Sequence, residues 1–100
     1  MRHIKFSIGR IEAIGGGNAL IGGRCIGDEI RKGDRTTAMV KSDGVDEIMR
    51  REILIIFHTI TAYGKDIEIV SPGMTAGIII PDTLAEQMHL NWRLEGECRQ

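Results

Sequence analysis

The fold turns on one stretch, GGRCIGDEIRKGDR (residues 22–35). Four glycines fall within it, and Gly27 and Gly33 each precede an aspartate. Apolar residues stand between them at short intervals. Glycines spaced this way serve one of two ends. They cradle phosphate with backbone amides, or they let a chain turn where φ is positive. The first end makes a nucleotide-binding enzyme and the second a small barrel. A Walker loop needs Gly-x-x-x-x-Gly-Lys-Ser/Thr. GGGNALIGGR (residues 15–24) contains no Gly-Lys-Ser/Thr, and Gly64-Lys65 has an Asp after it and no glycine loop before it. A dinucleotide fingerprint needs a glycine where Leu20 stands, then a helix. The residues after Leu20 are strand-like instead. The glycines are therefore read as turn residues.

Outward from this stretch, the pattern is of short strands. Ile4, Phe6 and Ile8 alternate with Lys5 and Ser7, and a bulge or twist is expected near Gly9. IGGGN (residues 14–18) breaks the alternation, ALIGGRCI resumes it, and TTAMVK (residues 36–41) reads as a third strand. SDGVDE is a polar loop with an Asp-Gly turn signal. The run at residues 53–57 is apolar at every position, and its β-branched content predicts a strand buried on both faces. Ile67 and Ile69 alternate in GKDIEIV, and SPGMTAGIII supplies a Pro-Gly turn and a further strand. PDTLAEQM is the one helical stretch, with Asp82 as its expected cap. The chain closes on a strand with Leu90, Trp92 and Leu94 alternating. Seven or so short strands predict an all-β domain, a small closed β-barrel with one short C-terminal helical segment. Ile55, Ile69, Ile78 and Ile80 are the expected core.

Composition agrees. A chain of 100 residues makes a single domain, residues 1–100. It is 42% hydrophobic and only 4% aromatic, so aliphatic side chains must fill the core. The 13 basic and 14 acidic side chains give a net charge of -1, with no global attraction to nucleic acid or anionic membrane. The longest apolar runs, residues 53–57 and 78–80, fall far short of the roughly 20 residues a spanning helix needs. No continuous apolar leader is visible near Met1, so no membrane association and a cytoplasmic location are expected. Cys25 and Cys98 are expected as free thiols, Cys25 filling core and Cys98 in a frayed tail.

The glycine stretch resembles the strand–turn–strand of the second domain of translational GTPases such as elongation factor Tu. Gly23, Arg24, Cys25, Ile30, Gly33 and Asp34 match that family's spacing, with the turn glycine, Gly27, one place early. The distal half resembles the same domain at Ile60, Gly64, Lys65, Ile67, Val70, Gly73, Ala76, Gly77, Ile78 and Ile80. The resemblance covers residues 6–80. It implies a closed barrel in which Gly33-Asp34 ends one strand and launches the next. The phosphate loop and Mg²⁺ ligands of the family's GTPase domain have no counterpart in this sequence, so GTP hydrolysis by that route is not implied. The segment PDTLAEQMHLNWRLEGE departs from the family, with a helical turn before its last strand.

The sequence holds no catalytic constellation. His3, His58 and His89 lie in no metal-ligand spacing, no serine sits in a nucleophile elbow, and the loop carboxylates read as solvated. No catalytic, metal or cofactor residue is expected, and no enzyme. Basic residues gather at Arg31, Lys32 and Arg35 and at Arg50 and Arg51. Were these two turns to abut, five cations would face a phosphate backbone or another partner. Asp34 and Glu52 are the nearest carboxylates to neutralise them. Trp92 is expected in the core. The function so read is a non-enzymatic β-barrel interaction module with a protein partner, of immunity, antitoxin or regulatory type. The alternative is an RNA- or ribosome-binding module, implied by the family and by the two basic turns.

Overall fold

β-Branched residues and short polar turns make most of the chain extended. The computed structural model describes residues 1–99. Its strands are β1 (Arg2–Gly15), β2 (Asn18–Cys25), β3 (Ile30–Arg31), β4 (Arg35–Ser42), β5 (Glu47–Ile56), β6 (Ile60–Ala62), β7 (Lys65–Ile67), β8 (Ile69–Val70), β9 (Thr75–Pro81) and β10 (Arg93–Cys98). One helical turn, α1 (Asp82–Ala85), lies between β9 and β10. The all-β class and the single short helix agree with the sequence. The strands outnumber the seven or so expected because β3, β6, β7 and β8 are pieces of only two or three residues.

Eight strands form one antiparallel sheet in the order β5-β4-β10-β1-β2-β9-β6-β7, and β3 pairs with β8 separately. No ladder joins β5 to β7, so hydrogen bonding among the described residues does not close the sheet. The sheet is nevertheless strongly curled, and chain connectivity requires it. β5 and β6 stand six places apart, about 29 Å in a flat sheet. Only residues 57–59 link them, a reach of about 14 Å at most. The curl wraps the inward side chains around one cluster that includes Ile4, Phe6, Ile21, Ile55, Ile78 and Leu94. Phe6 and Phe57 meet edge to face within it, with ring centroids 5.7 Å apart.

The glycines divide by task. Gly15, Gly16 and Gly17 all have positive φ and form the β1–β2 turn, and Gly33 (φ +92°) separates β3 from β4. These are turns, as expected. Gly23 is different: a Cβ there would stand 2.0 Å from the Ser7 carbonyl oxygen and 2.7 Å from the Phe6 ring. It is a packing position, not a turn. The expected bulge near Gly9 is present as a register shift between Ile8 and Arg10.

Asp34 ties distant parts of the fold together. Its carboxylate accepts hydrogen bonds from both terminal nitrogens of Arg2, at 2.5 and 2.8 Å, and from the Arg31 amide at 2.7 Å. The Asp34 carbonyl accepts from the Phe57 amide, while the Gly33 amide donates to the Phe57 carbonyl. Burial alone would push the carboxyl pKa up. The Arg2 guanidinium and the Arg31 amide outweigh that and hold it below the ordinary carboxylate value.

Several expectations are corrected. Ile69 is 49% exposed, and its neighbour Val70 is buried instead. Leu54 is 52% exposed, so the run at residues 53–57 is buried on one face only. Leu90 is exposed as well, because the last strand begins only at Arg93. Pro81 takes the N-cap place of α1, and no side chain caps the helix. Cys98 is not in a frayed tail: it pairs with Arg2 across the β10–β1 ladder.

Replacing Asp34 with Ala removes the carboxylate partner of a partly buried guanidinium, which keeps only its bond to the Glu29 carbonyl. Urea unfolding should show a loss of about 1.5–3 kcal/mol, as for hydrogen bonds to charged groups. The pH dependence has a definite sign. A carboxyl with a depressed folded pKa stabilises above the ordinary value of about 4 and loses that contribution as pH falls through the folded value. The wild type should therefore lose stability below about pH 4, and Asp34→Asn should flatten that acid limb.

Candidate interaction surfaces

The five basic residues named from the sequence fall into two groups. Arg35 opposes Ile56 at one end of the β4–β5 ladder, while Arg50 opposes Val40 and Arg51 opposes Met39. Arg35 and Val40 are five residues apart on β4, about 17 Å. The two basic groups therefore do not abut. The neutralising carboxylates also differ from those expected. Asp34 binds Arg2, Arg31 reaches Glu29 at 2.6 Å, and Arg50 is held by Glu47 at 2.8 Å and Glu95 at 3.3 Å. The Arg50 hydrogen bond holds the Glu47 carboxyl below its usual range. Arg51 lies 5.7 Å over the Trp92 ring, and His89 lies 4.6 Å from that ring. Trp92 is half-buried against the core cluster rather than inside it.

A second surface escaped sequence reading. Gly22 and Gly77 are direct cross-strand partners on the outward face of β2 and β9. With no side chain at either place, the sheet carries a trough of about 690 Å³. Arg10 and Arg24 flank it, and Thr61, Thr75 and Ser7 bring hydroxyls. Tyr63 stands at its rim, 91% exposed, in a left-handed conformation (φ +55°). Arg10 has a long contact to Glu12, at 3.7 Å. The signal for this trough was the pairing of two glycines, and pairing is invisible until register is known.

A third surface is β5. It ends the sheet, with β4 on one side and no ladder on the other. All six residues from Glu47 to Glu52 are exposed, including those whose parity points toward the core. The outer strand of the β4–β5 hairpin is thus an exposed edge, while its β4 partners Ala38, Met39 and Val40 are buried. It carries Val45, Ile48, Met49 and Leu54 as exposed apolar side chains.

The Cys25 thiol is buried, donates to the Asp28 carbonyl at 3.1 Å, and is pushed up in pKa by burial. Among the described residues no group of three His, Cys, Asp or Glu side chains gathers in metal-binding geometry, and no helix is long and apolar enough to cross a membrane. A scan against protein-family models and a search of curated proteins both find no match to this chain.

Gly22 and Gly23 are adjacent but face opposite sides, which gives a paired expectation. A Cβ at Gly22 meets only Arg10 side-chain atoms, the nearest at 3.4 Å. Gly22→Ala should be neutral or slightly stabilising in urea unfolding, within about 0.5–1 kcal/mol. Gly23→Ala forces the Phe6 ring aside and should cost about 1–3 kcal/mol or more. Equal costs would contradict the assignment of Gly22 to the trough floor.

Proposed function

We propose that this chain is a non-enzymatic interaction module that binds a protein partner by adding a strand along the open edge of β5. The observation that supports this reading is the exposed segment at residues 47–52, unpaired on one side. An edge of this kind offers a row of backbone donors and acceptors, which give affinity, while alternate side chains give specificity. Ile48 and Leu54 supply apolar contacts beside Arg50 and Glu52. A regulatory or immunity-type partner protein would engage this edge. The curled sheet and the resemblance of residues 6–80 support reading the scaffold as a barrel of the translation-factor second-domain type.

The trough favours a second reading, an RNA- or ribosome-binding module. Arg10 and Arg24 offer guanidinium groups for phosphate, and the exposed Tyr63 ring offers a stacking face. The near-neutral net charge ranks this reading below the first.

Pull-down from nuclease-treated extract separates the two. The protein reading expects a stoichiometric chain that survives moderate salt. That chain should be lost with Ile48→Lys/Leu54→Lys and kept with Arg10→Ala/Arg24→Ala. The RNA reading expects affinity that falls steeply with salt, by about 0.7 log units per log unit of salt for each single-strand phosphate contact. Tight RNA binding abolished by Arg10→Ala/Arg24→Ala, and indifferent to the β5 variants, would put the second reading first.

A further inference from the structure

We infer that the glycine-floored trough is a binding site for a small phosphomonoester that carries a planar ring, of the size of a nucleoside monophosphate. Such a site is independent of strand addition at β5, and its occupant is not the RNA chain of the second reading. Register fixes the outward side chains around it. Arg10, Gly22, Gly77 and Thr61 form one row across β1, β2, β9 and β6, and Arg24 stands opposite Thr75 in the next row.

The two glycines let polar groups lie down over the sheet. The Arg10 side chain folds over Gly22, with Nε 3.5 Å and Nη2 4.0 Å from where a Cβ would stand. The Thr61 hydroxyl is 3.1 Å from the corresponding place at Gly77, beside a Leu20 methyl. Arg24 is two residues along β2 from Gly22, about 7 Å away on the same face. An arginine side chain crosses that distance, so both guanidiniums reach one anion. Among the described residues Arg24 forms no ion pair or hydrogen bond. Arg10 has only the 3.7 Å contact to Glu12, between side chains 66% and 52% exposed. A pair so exposed holds little. No carboxylate lines the trough among the described residues.

Charge selects the ligand. Two guanidiniums that converge on one place match a single dianion. A phosphomonoester carries about −1.5 to −2 at pH 7. A carboxylate or an internal RNA phosphodiester carries a single negative charge and leaves one guanidinium unmatched. An RNA chain also needs cations spaced along its backbone, and the rest of the lining is glycine, alanine, leucine, tyrosine and hydroxyl side chains. The volume of about 690 Å³ is that of a small-molecule site.

The ring belongs at the β6 side. Tyr63 and Gly64 make the two-residue turn from β6 to β7, at φ +55° and +75°. Such a turn takes Asn or Gly at its first place, and a tyrosine there is strained. The Tyr63 side chain is 91% exposed, so packing within the chain does not offset the strain. It offers its ring where a planar group would stack. β6 lies two strands from β2, about 10 Å, a separation that a nucleoside monophosphate spans between phosphate and base.

NMR titration of the isotope-labelled protein tests the site, with AMP, UMP, cyclic AMP, inorganic phosphate and a decauridylate lacking terminal phosphates as probes. AMP and UMP should bind with dissociation constants below about 1 mM and shift the amides of Gly22, Gly77 and Tyr63. Cyclic AMP, a diester of single charge, should bind roughly tenfold more weakly. Arg10→Ala/Arg24→Ala should weaken AMP by roughly tenfold or more. Tyr63→Asn should weaken AMP by about tenfold while leaving inorganic phosphate unchanged, and it should raise stability in urea because Asn suits the turn. Gly22→Val meets only the flexible Arg10 side chain, so it should keep the fold by circular dichroism and lose AMP. The inference is overturned if AMP shifts none of these amides, binds no better than cyclic AMP or inorganic phosphate, or ignores the arginine pair. Decauridylate that binds the same amides more tightly than AMP also overturns it and gives the trough to the RNA reading. In every case strand addition at β5 stands or falls by Ile48→Lys/Leu54→Lys.

Discussion

The Asp34 carboxylate fastens the curl. The three-residue link from β5 to β6 already forces the two ends of the eight-stranded sheet together. Asp34 ties that closure to the rest of the fold. Its side chain holds Arg2 at the start of β1, its own turn holds the Arg31 amide, and its carbonyl holds Phe57 on the link from β5 to β6. One residue thus bonds the middle of the sheet, the β3–β4 turn and the connection between the sheet's two ends. These contacts are sheltered: the Arg2 and Asp34 side chains are only 14% and 10% exposed. A low-dielectric setting strengthens such bonds and makes each unpaired member costly.

The sequence exposed the local half of this arrangement. Gly33-Asp34 was legible as a strand break, because a turn glycine beside an aspartate is a short-range signal. Arg2 was not, since it lies 32 residues away and looks like any surface cation. The same boundary between local and distant runs through the fold. Strand existence followed from alternation, and the Gly9 bulge from an interrupted pattern. Which face is buried did not follow where apolar residues are consecutive. At residues 53–57 the alternation is masked by Leu54 and Ile56, and at Ile69-Val70 the inward residue is the second. Parity there is set by partners on other strands.

The candidate surfaces show the same limit. Arg31, Lys32, Arg35, Arg50 and Arg51 were visible as charges, yet whether they converge is a question of register. β4 answers it by placing Arg35 and Arg50 at separated rungs. Two of the five, Arg31 and Arg50, are moreover paired with carboxylates, Glu29 for the first and Glu47 and Glu95 for the second. The trough needed two glycines from strands more than fifty residues apart, Gly22 and Gly77, to become neighbours. Composition counts glycines but does not pair them.

The place where the curl stops decides which surfaces the fold can offer a partner. A ladder that closed on itself would hide every backbone group, and only loops and side chains would remain for recognition. Here the ladder stops at β5, whose first six residues are exposed. That segment is stiffened by its bonding to β4, so a strand docking on it orders little of the host and keeps most of its own contact energy. The trough is equally rigid, because its floor is strand backbone buttressed by the core beneath. The two surfaces differ in the chemistry they present. The edge offers hydrogen bonds in a row with alternating apolar and charged side chains. The trough offers two guanidiniums, a tyrosine ring and the Leu20 side chain over a glycine floor. An extended polypeptide satisfies the first and cannot fill the second with its own charge pattern unless it is acidic. For a chain with a net charge of -1, the edge is the surface that needs no opposite charge from its partner, and this is why it ranks first.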